Sequence, residues 1–188
     1  MRHGADVGDN SVPIAAFATP MSYTARRYDF HDKSADYARL VQDLAALLAG
    51  ESDLVANAAN TAALIFAALP EVNWAGFYFL RGGELVLGPF QGKPACVRIA
   101  LGQGVCGAAA VQRRTLIVPD VQKFPGHIAC DAASRAEIVV PLIDGATLLG
   151  VLDIDSPRAA RFDEADARGL EALARALVAR SAAGARPP

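Results

Sequence analysis

Three cysteine thiols and two closely spaced carboxylates are the side chains of this chain that could do chemistry together. The cysteines are Cys96, Cys106 and Cys130, all in the middle of the chain. Further along, Asp153 and Asp155 interrupt an apolar segment that should form a buried strand. Thiolates act as nucleophiles and redox centres, and carboxylates transfer protons or hold cations. The combination predicts thiol redox chemistry on a small cationic or zwitterionic substrate.

Each cysteine also has a purely structural interpretation, because free cysteine is often buried and only packs. Cys106, which has small neighbours at the start of a predicted helix, fits that interpretation best. Cys130 fits it worst, because it lies among polar loop residues with Lys123, His127 and Arg135 nearby to support a thiolate. A zinc site of three cysteines and His127 is a further alternative, although the chain has no Cys-x2-Cys pair.

The two aspartates should share one face of their strand, because side chains two positions apart point the same way. Glu137 opens the preceding predicted strand, and a hairpin at residues 144–145 would bring it close to Asp153 and Asp155. Three acids in one site would attract an ammonium group, and their repulsion would keep one of them protonated near neutral pH. The alternative is a solvated strand end.

Trp74 and Tyr78 lie four positions apart on another predicted strand and should also share a face. Sulfur and methyl groups pack favourably on aromatic rings, so this pair could form the wall of a binding pocket. The alternative is packing in the core, which is the expectation for Phe77 and Phe79.

The composition indicates a single globular domain in a reducing compartment. A formal charge of −2 over 188 residues provides no basic surface for nucleic acid or an anionic membrane. No run approaches the roughly 20 apolar residues of a membrane helix, and the N-terminus lacks a continuous apolar signal segment. Three cysteines, an odd number, argue against a secreted disulfide scaffold. We therefore expect a cytoplasmic protein.

The spacing of apolar residues predicts an α+β domain over residues 21–188 after a flexible arm at 1–20. Ser34 and Ser52 are the expected caps of the first two helices. Helices are predicted at 34–49, 52–69, 104–112 and 163–182. Strands are predicted at 73–80, 84–90, 96–100, 115–118, 137–143 and 147–155, with an irregular segment at 120–136. This order describes an antiparallel sheet flanked by helices, an α/β sandwich.

The order of elements resembles the GAF domain, a small-ligand-binding fold with a six-stranded antiparallel sheet. Six segments extend the resemblance to the free methionine-R-sulfoxide reductase family, over about residues 22–180. They are Asn73-Trp-Ala-Gly-Phe-Tyr78, Gly88-Pro-Phe-Gln-Gly-Lys-Pro-Ala-Cys96, Gly102-Gln-Gly-Val-Cys-Gly107, Pro119-Asp-Val121, Phe124-Pro-Gly-His-Ile-Ala-Cys130 and Leu152-Asp-Ile-Asp-Ser156. The cysteines in family register and the Leu-Asp-Ile-Asp run are more specific than the GAF order alone, because that fold hosts many functions.

The resemblance implies an enzyme that reduces free L-methionine-(R)-sulfoxide to L-methionine with thiols and no metal or cofactor. In the family the cysteine at the Cys130 position is the nucleophile, which becomes a sulfenic acid. The cysteine at the Cys96 position usually resolves it as a disulfide, and Cys106 is an auxiliary thiol, so which of the two resolves first stays open. The implied partners are thioredoxin or a similar dithiol reductant, and a second copy of the chain in a homodimer.

The resemblance also places Trp74 in the substrate pocket, and Tyr78 on the same face is expected to contact the substrate. It carries substrate-binding and proton-supplying roles onto Glu137, Asp153 and Asp155 without dividing the roles among them. Two other classes remain. A stand-alone regulatory GAF module explains the fold but leaves three thiols without a role, and no feature favours a structural or partner-binding subunit.

Overall fold

The computed structural model describes residues 28–126 and 132–183 of the chain, so the predicted arm at 1–20 lies outside the described residues. The strands are β1 Trp74–Arg81, β2 Glu84–Gly92, β3 Arg98–Ala100, β4 Leu116–Val118, β5 Ala136–Asp144 and β6 Thr147–Ser156. The helices are α1 Lys33–Leu47, α2 Leu54–Ala68, α3 Gly104–Gln112 and α4 Glu164–Ala183, with a short 3-10 helix at Val121–Lys123.

The six strands form one antiparallel sheet in the order β3-β2-β1-β6-β5-β4. Two tight hairpins connect β1 to β2 through Gly82 and Gly83, and β5 to β6 through Gly145. All three glycines have positive φ, which two-residue hairpin turns require. The predicted α+β fold, with a six-stranded antiparallel sheet between helices, is confirmed.

The two faces of the sheet have different partners. Helices α1, α2 and α4 cover one face and enclose the larger apolar core, which includes Phe77, Phe79 and Ile154. Helix α3 packs on the other face, over β5 and β6, in a smaller cluster that includes Trp74 and Tyr78. The alternation along β1 therefore sends the phenylalanines to the core, as predicted, and the tryptophan and tyrosine to the α3 face.

The first two helices begin one or two residues away from the predicted caps. Asp32 caps α1 and Asp53 caps α2, and each carboxylate accepts the backbone N–H three residues on, at 3.1 and 2.8 Å. Ser34 lies inside α1, and Ser52 precedes the α2 cap. The predictions of serine caps were wrong because a neighbouring aspartate can make the same hydrogen bond and also places a negative charge at the helix N-terminus.

The third strand is shorter than predicted and excludes Cys96. Its pairing with β2 runs from Arg98 to Ala100. The Cys96 carbonyl oxygen instead accepts the Tyr78 hydroxyl at 3.1 Å, so this residue lies outside the β2–β3 ladder. The prediction of a strand from Cys96 was wrong. The alternation of apolar and polar residues cannot show where a backbone carbonyl accepts a hydrogen bond from a side chain instead of from the neighbouring strand.

A buried ion network joins the helices on the core face. The Asp166 side chain is fully buried and accepts Lys33 Nζ at 2.6 Å and the Tyr37 hydroxyl at 2.9 Å. Arg161 Nη1 lies 3.3 Å from the same carboxylate, and its Nε donates to the Pro70 carbonyl at 3.0 Å. Burial and the Asp166 charge raise the pKa of Tyr37 far above its ordinary value. The network ties α1 and α4 to the segment before β1.

Within the described part of the chain, no helix is both long and apolar enough to cross a membrane.

Candidate active site

A pocket opens on the α3 face of the sheet, where the start of β1, the start of β5 and the end of β6 meet. Its walls come from these strands, from α3 and from the residues that follow β2. The predicted site residues that line it are Trp74, Tyr78, Cys106, Glu137, Asp153 and Asp155. The structure thus brings together six of the eight predicted residues.

The three predicted acids meet because of strand register. Glu137 pairs directly with Asp155 across β5 and β6, and Asp153 lies two residues before Asp155 on the same face. Glu137 and Asp153 are buried, with 6% and 7% exposure, whereas Asp155 is half-buried. Leu152 precedes Asp153, and Ile154 lies between the two aspartates. Both pack in the larger core on the other face of the sheet. The predicted meeting of the three acids is confirmed, and the alternative of a solvated strand end is wrong.

Burial holds protons on this cluster. Desolvation, followed by the charges of Asp153 and Asp155, raises the pKa of Glu137 well above its ordinary value. Desolvation also raises the pKa of Asp153 to about 7, although hydrogen bonds with Cys106 and Glu137 oppose the shift. The pair therefore retains a proton near neutral pH, because two buried carboxylates so close together repel each other when both are ionised.

Cys106 belongs to the smaller apolar cluster and also lies beside the acids. Its thiol donates to Glu137 Oε1 at 4.0 Å, and the residue is buried. Burial, followed by the charges of Asp153 and Glu137, raises the pKa of Cys106 well above its ordinary value. A thiol in these surroundings stays protonated and is a weak nucleophile.

Close packing of α3 on the turn after β3 positions this thiol. Gly107 directly follows Cys106, and its carbonyl accepts the Gly102 N–H at 3.0 Å. A Cβ at Gly107 would lie 2.5 Å from the Ala100 carbonyl oxygen, well inside contact distance. A glycine is therefore required here for the helix to approach the turn.

The predicted aromatic pair forms one wall of the pocket. The Trp74 and Tyr78 rings are stacked at a centroid distance of 6.0 Å, and the Phe90 ring also stacks with Trp74, at 5.4 Å. Both rings also hold the loop after β2, residues 93–97, which we call the strap. Trp74 Nε1 donates to the Lys93 carbonyl at 3.1 Å, and the Tyr78 hydroxyl donates to that of Cys96.

Of the other two predicted thiols, Cys96 is the one that the structure describes. Cys96 is half-buried in the strap and packs against the cluster that contains the aromatic wall. Cys130 and His127 lie outside the described residues, as does any zinc site that includes them. Lys123, predicted to support the Cys130 thiolate, has its ammonium group 3.4 Å from Asp120 and is well exposed.

Sequence reasoning missed two polar residues that build the pocket. Ser134 is buried, lines the pocket and accepts a hydrogen bond from Asn73 Nδ2 at 3.1 Å. The Asn73 backbone N–H donates to the Asp155 carbonyl at 3.1 Å. Asn73 therefore connects the acid strand to the segment that leads into β5. No motif predicts this contact, because it joins residues far apart in sequence.

The fold agrees with comparisons to known proteins. The GAF domain family model matches residues 37–180. The chain is 54% identical to protein YtsP of Bacillus subtilis over 78% of its length and 91% of that protein. It is 52% identical to the free methionine-R-sulfoxide reductase of Escherichia coli over 76% of its length and 86% of that enzyme.

A solved structure is similar over the same region. The free methionine-R-sulfoxide reductase of Neisseria meningitidis in complex with its substrate has a TM-score of 0.79 and 47% identity, covering 82% of this chain and 93% of that one. The chain therefore belongs to the GAF-domain family. Within that family it belongs to the branch of the free methionine-R-sulfoxide reductases.

Proposed function

We propose that this protein reduces free methionine-R-sulfoxide to methionine. The observation that carries the proposal is the meeting of Glu137, Asp153 and Asp155 beside the Trp74–Tyr78 wall in one pocket. The identity of 52% with the Escherichia coli reductase supports the same activity. A pocket lined by acids and by stacked rings on neighbouring strands suits a small amino acid whose side chain ends in a sulfinyl methyl group.

Each end of the substrate has a matching group in the pocket. The α-ammonium is the natural partner of the acid cluster, because a cation relieves the repulsion among buried carboxylates. The methyl and sulfur of the side chain pack on the aromatic wall. A protonated carboxyl of the Glu137–Asp153 pair then lies in the same pocket, and it can donate to the sulfoxide oxygen as negative charge develops there.

The redox step requires a nucleophilic thiolate, and we assign that role to Cys130. Its sulfur attacks the substrate sulfur, and the oxygen passes to the cysteine as a sulfenic acid while methionine leaves. A second thiol then attacks the sulfenic sulfur, forms a disulfide and releases the oxygen as water. Overall, one sulfoxide and two thiols give methionine, a disulfide and water.

Cys96 is the proposed resolving thiol. Cys106 is a poor candidate because burial among acids raises its pKa and suppresses the thiolate. Cys96 is half-buried in a strap that two side-chain hydrogen bonds hold in place. Peptide mapping after one turnover should find a Cys96–Cys130 bridge. A bridge between Cys106 and Cys130 alone would transfer the resolving role to Cys106.

The disulfide must be reduced by an external dithiol, and thioredoxin is the proposed donor in the cytoplasm. Oxidised protein should consume NADPH through thioredoxin and its reductase when the sulfoxide is supplied; no consumption would exclude this donor.

We assign the catalytic domain to residues 21–188, so deletion of residues 1–20 should leave turnover intact. The proposed homodimer is tested by sedimentation of the purified chain.

Substrate selection tests the role of the acids. A peptide bond removes the ammonium charge, and loss of a charge-assisted hydrogen bond costs about 1.5–3 kcal/mol. That is roughly one to two decades in kcat/KM, before any steric effect. The comparison uses free methionine-R-sulfoxide, its N-acetyl form and a sulfoxide-containing peptide, with Asp155→Asn as the test variant and the exposed Asp144→Asn as its control. Equal rates on all three substrates would contradict an ammonium-binding role.

A further inference from the structure

Three possible metal ligands converge in the pocket. One ligand atom from each of Cys106, Glu137 and Asp153 lies within 4.8 Å of the others, and all three residues are buried. The Cys106 sulfur and Glu137 Oε1 are 4.0 Å apart. One sulfur and two oxygens at these separations can surround a single ion.

An unsatisfied carboxylate oxygen lies at the same place. The Asp153 side chain forms hydrogen bonds with Cys106 and Glu137, but one of its oxygens, Oδ1, is buried and has no hydrogen-bond partner among the described residues. Its side chain lines the pocket, and the whole residue is only 7% exposed. Of the described residues that line the pocket, Lys93 alone is basic, and it is exposed. A buried carboxylate oxygen without a donor is costly, and a bound cation would satisfy it.

We propose that Cys106, Glu137 and Asp153 form a binding site for one thiophilic divalent cation, such as Zn²⁺. Zinc binds thiolate sulfur at about 2.3 Å and carboxylate oxygen at about 2.0–2.2 Å, so tetrahedral ligands lie roughly 3.6 Å apart. The observed distance of 4.0 Å between the Cys106 sulfur and Glu137 Oε1 is only slightly longer, so the two side chains need to move little to bind one ion. Binding displaces the thiol proton and any carboxyl proton to solvent. The sulfur ligand selects Zn²⁺, Co²⁺ or Cd²⁺ over Mg²⁺ and Ca²⁺.

This cation would regulate the enzyme rather than assist it. Under the proposed function, on which this step rests, the same acids receive the substrate ammonium. Metal and substrate then compete for Glu137 and Asp153, so Zn²⁺ inhibits competitively with free methionine-R-sulfoxide and a chelator restores the rate.

Cobalt provides a direct test that does not depend on turnover. Co²⁺ is titrated into the full-length Cys96→Ser/Cys130→Ser variant, in which Cys106 is the remaining thiol. A thiolate-to-cobalt charge-transfer band should appear and saturate at about one equivalent. Adding Glu137→Gln or Asp153→Asn should weaken binding at least tenfold, whereas adding the exposed Asp144→Asn should not. Absence of the band in folded protein, or unchanged binding in both carboxyl variants, would overturn the site.

Addition of the substrate separates this proposal from the proposed function. The double variant lacks the proposed nucleophile, so free methionine-R-sulfoxide should bind without reacting and raise the apparent Kd for Co²⁺. A cobalt band that does not respond to the sulfoxide would support the metal site and contradict the proposed substrate site. A missing band beside normal wild-type turnover would overturn the metal site and leave the reductase function standing.

Discussion

Glu137 and Asp153 lie side by side in a buried pocket although both are acids. Hydrophobic side chains of similar size would stabilise the fold better, because ionised groups lose hydration on burial. The cluster is therefore explained by what it binds or donates. Its elevated pKa values give the pocket a proton donor near neutral pH and a preference for cations.

A pH profile of stability tests the state of Asp153. The pKa of this group is about 7 in the folded protein and about 3.9 in an unfolded chain. The folded state therefore holds more protons between these values, and the free energy of unfolding must fall as the pH rises from about 4 to 7. Asp153→Asn removes the titrating carboxyl group and therefore this loss of stability. We expect the variant to exceed wild type by about 2–4 kcal/mol at pH 8, and by much less at pH 4.

Urea denaturation across this pH range measures the difference, with Asp144→Asn as the control. Asp144 is an exposed acid of the β5–β6 hairpin and should follow the wild-type profile. Parallel profiles for Asp153→Asn and wild type would show that Asp153 does not titrate in this window.

The meeting of the acids could be predicted from the sequence, but the surroundings of Cys106 could not. Alternation and a two-residue hairpin are local signals that bring Glu137 near the two aspartates, and the register shift between Leu142 and Ile143 then places it directly opposite Asp155. The contact of Cys106 with Glu137 depends on how α3 packs across β5 and β6, which no local pattern encodes. The structural interpretation of Cys106 was correct about burial but did not predict its acidic neighbours.

At the scale of elements, the strap at residues 93–97 connects the aromatic wall to Cys96. Removal of the Tyr78 hydroxyl deletes the hydrogen bond to the Cys96 carbonyl. A hydrogen bond of this kind contributes about 0.5–1.5 kcal/mol. We therefore expect Tyr78→Phe to accelerate amide hydrogen exchange in the strap by up to roughly tenfold.

Tyr37→Phe is the matched control for this measurement. Its hydroxyl also makes one buried hydrogen bond, to Asp166, but on the core face of the sheet. Exchange in the strap should stay at the wild-type rate in this variant, while exchange in α1 increases. Equal acceleration of the strap in both variants would mean that Tyr78 acts only through global stability.

The elements themselves were more predictable than their ends. Gly-Gly at 82–83 and Asp-Gly at 144–145 are strong hairpin signals, and both hairpins form. The helices have other caps than predicted because aspartate and serine compete as caps at positions one or two residues apart. The sequence predicts a strand from Cys96, whereas the structure places this residue in the strap, because the side chains that anchor the strap, Trp74 and Tyr78, lie on a different element.

At the scale of the whole molecule, the residues that stabilise the fold and the residues of the pocket lie on opposite faces of the sheet. The larger core and the Asp166 network lie on one face, and the pocket lies on the other. Removing one member of a buried ion pair costs about 3–5 kcal/mol. Asp166→Asn should lower the free energy of unfolding by that amount while leaving kcat/KM unchanged at temperatures where the variant is folded.

Asp163→Asn is the control, because Asp163 also pairs with Lys33, at 2.8 Å, but its side chain is 59% exposed. An exposed pair contributes at most about 1 kcal/mol, so this variant should unfold almost as wild type does. If Asp166→Asn instead reduced turnover of folded protein, the two faces would be coupled.

Single-turnover reduction tests the central claim most directly. Reduced protein is mixed with free methionine-R-sulfoxide without an external reductant, and methionine and remaining thiols are counted. Wild type should form about one methionine per chain and lose two thiols to a disulfide. Cys130→Ser should form no methionine and keep its thiols, whereas Cys96→Ser should still form methionine. Stoichiometric methionine from folded Cys130→Ser would contradict the account.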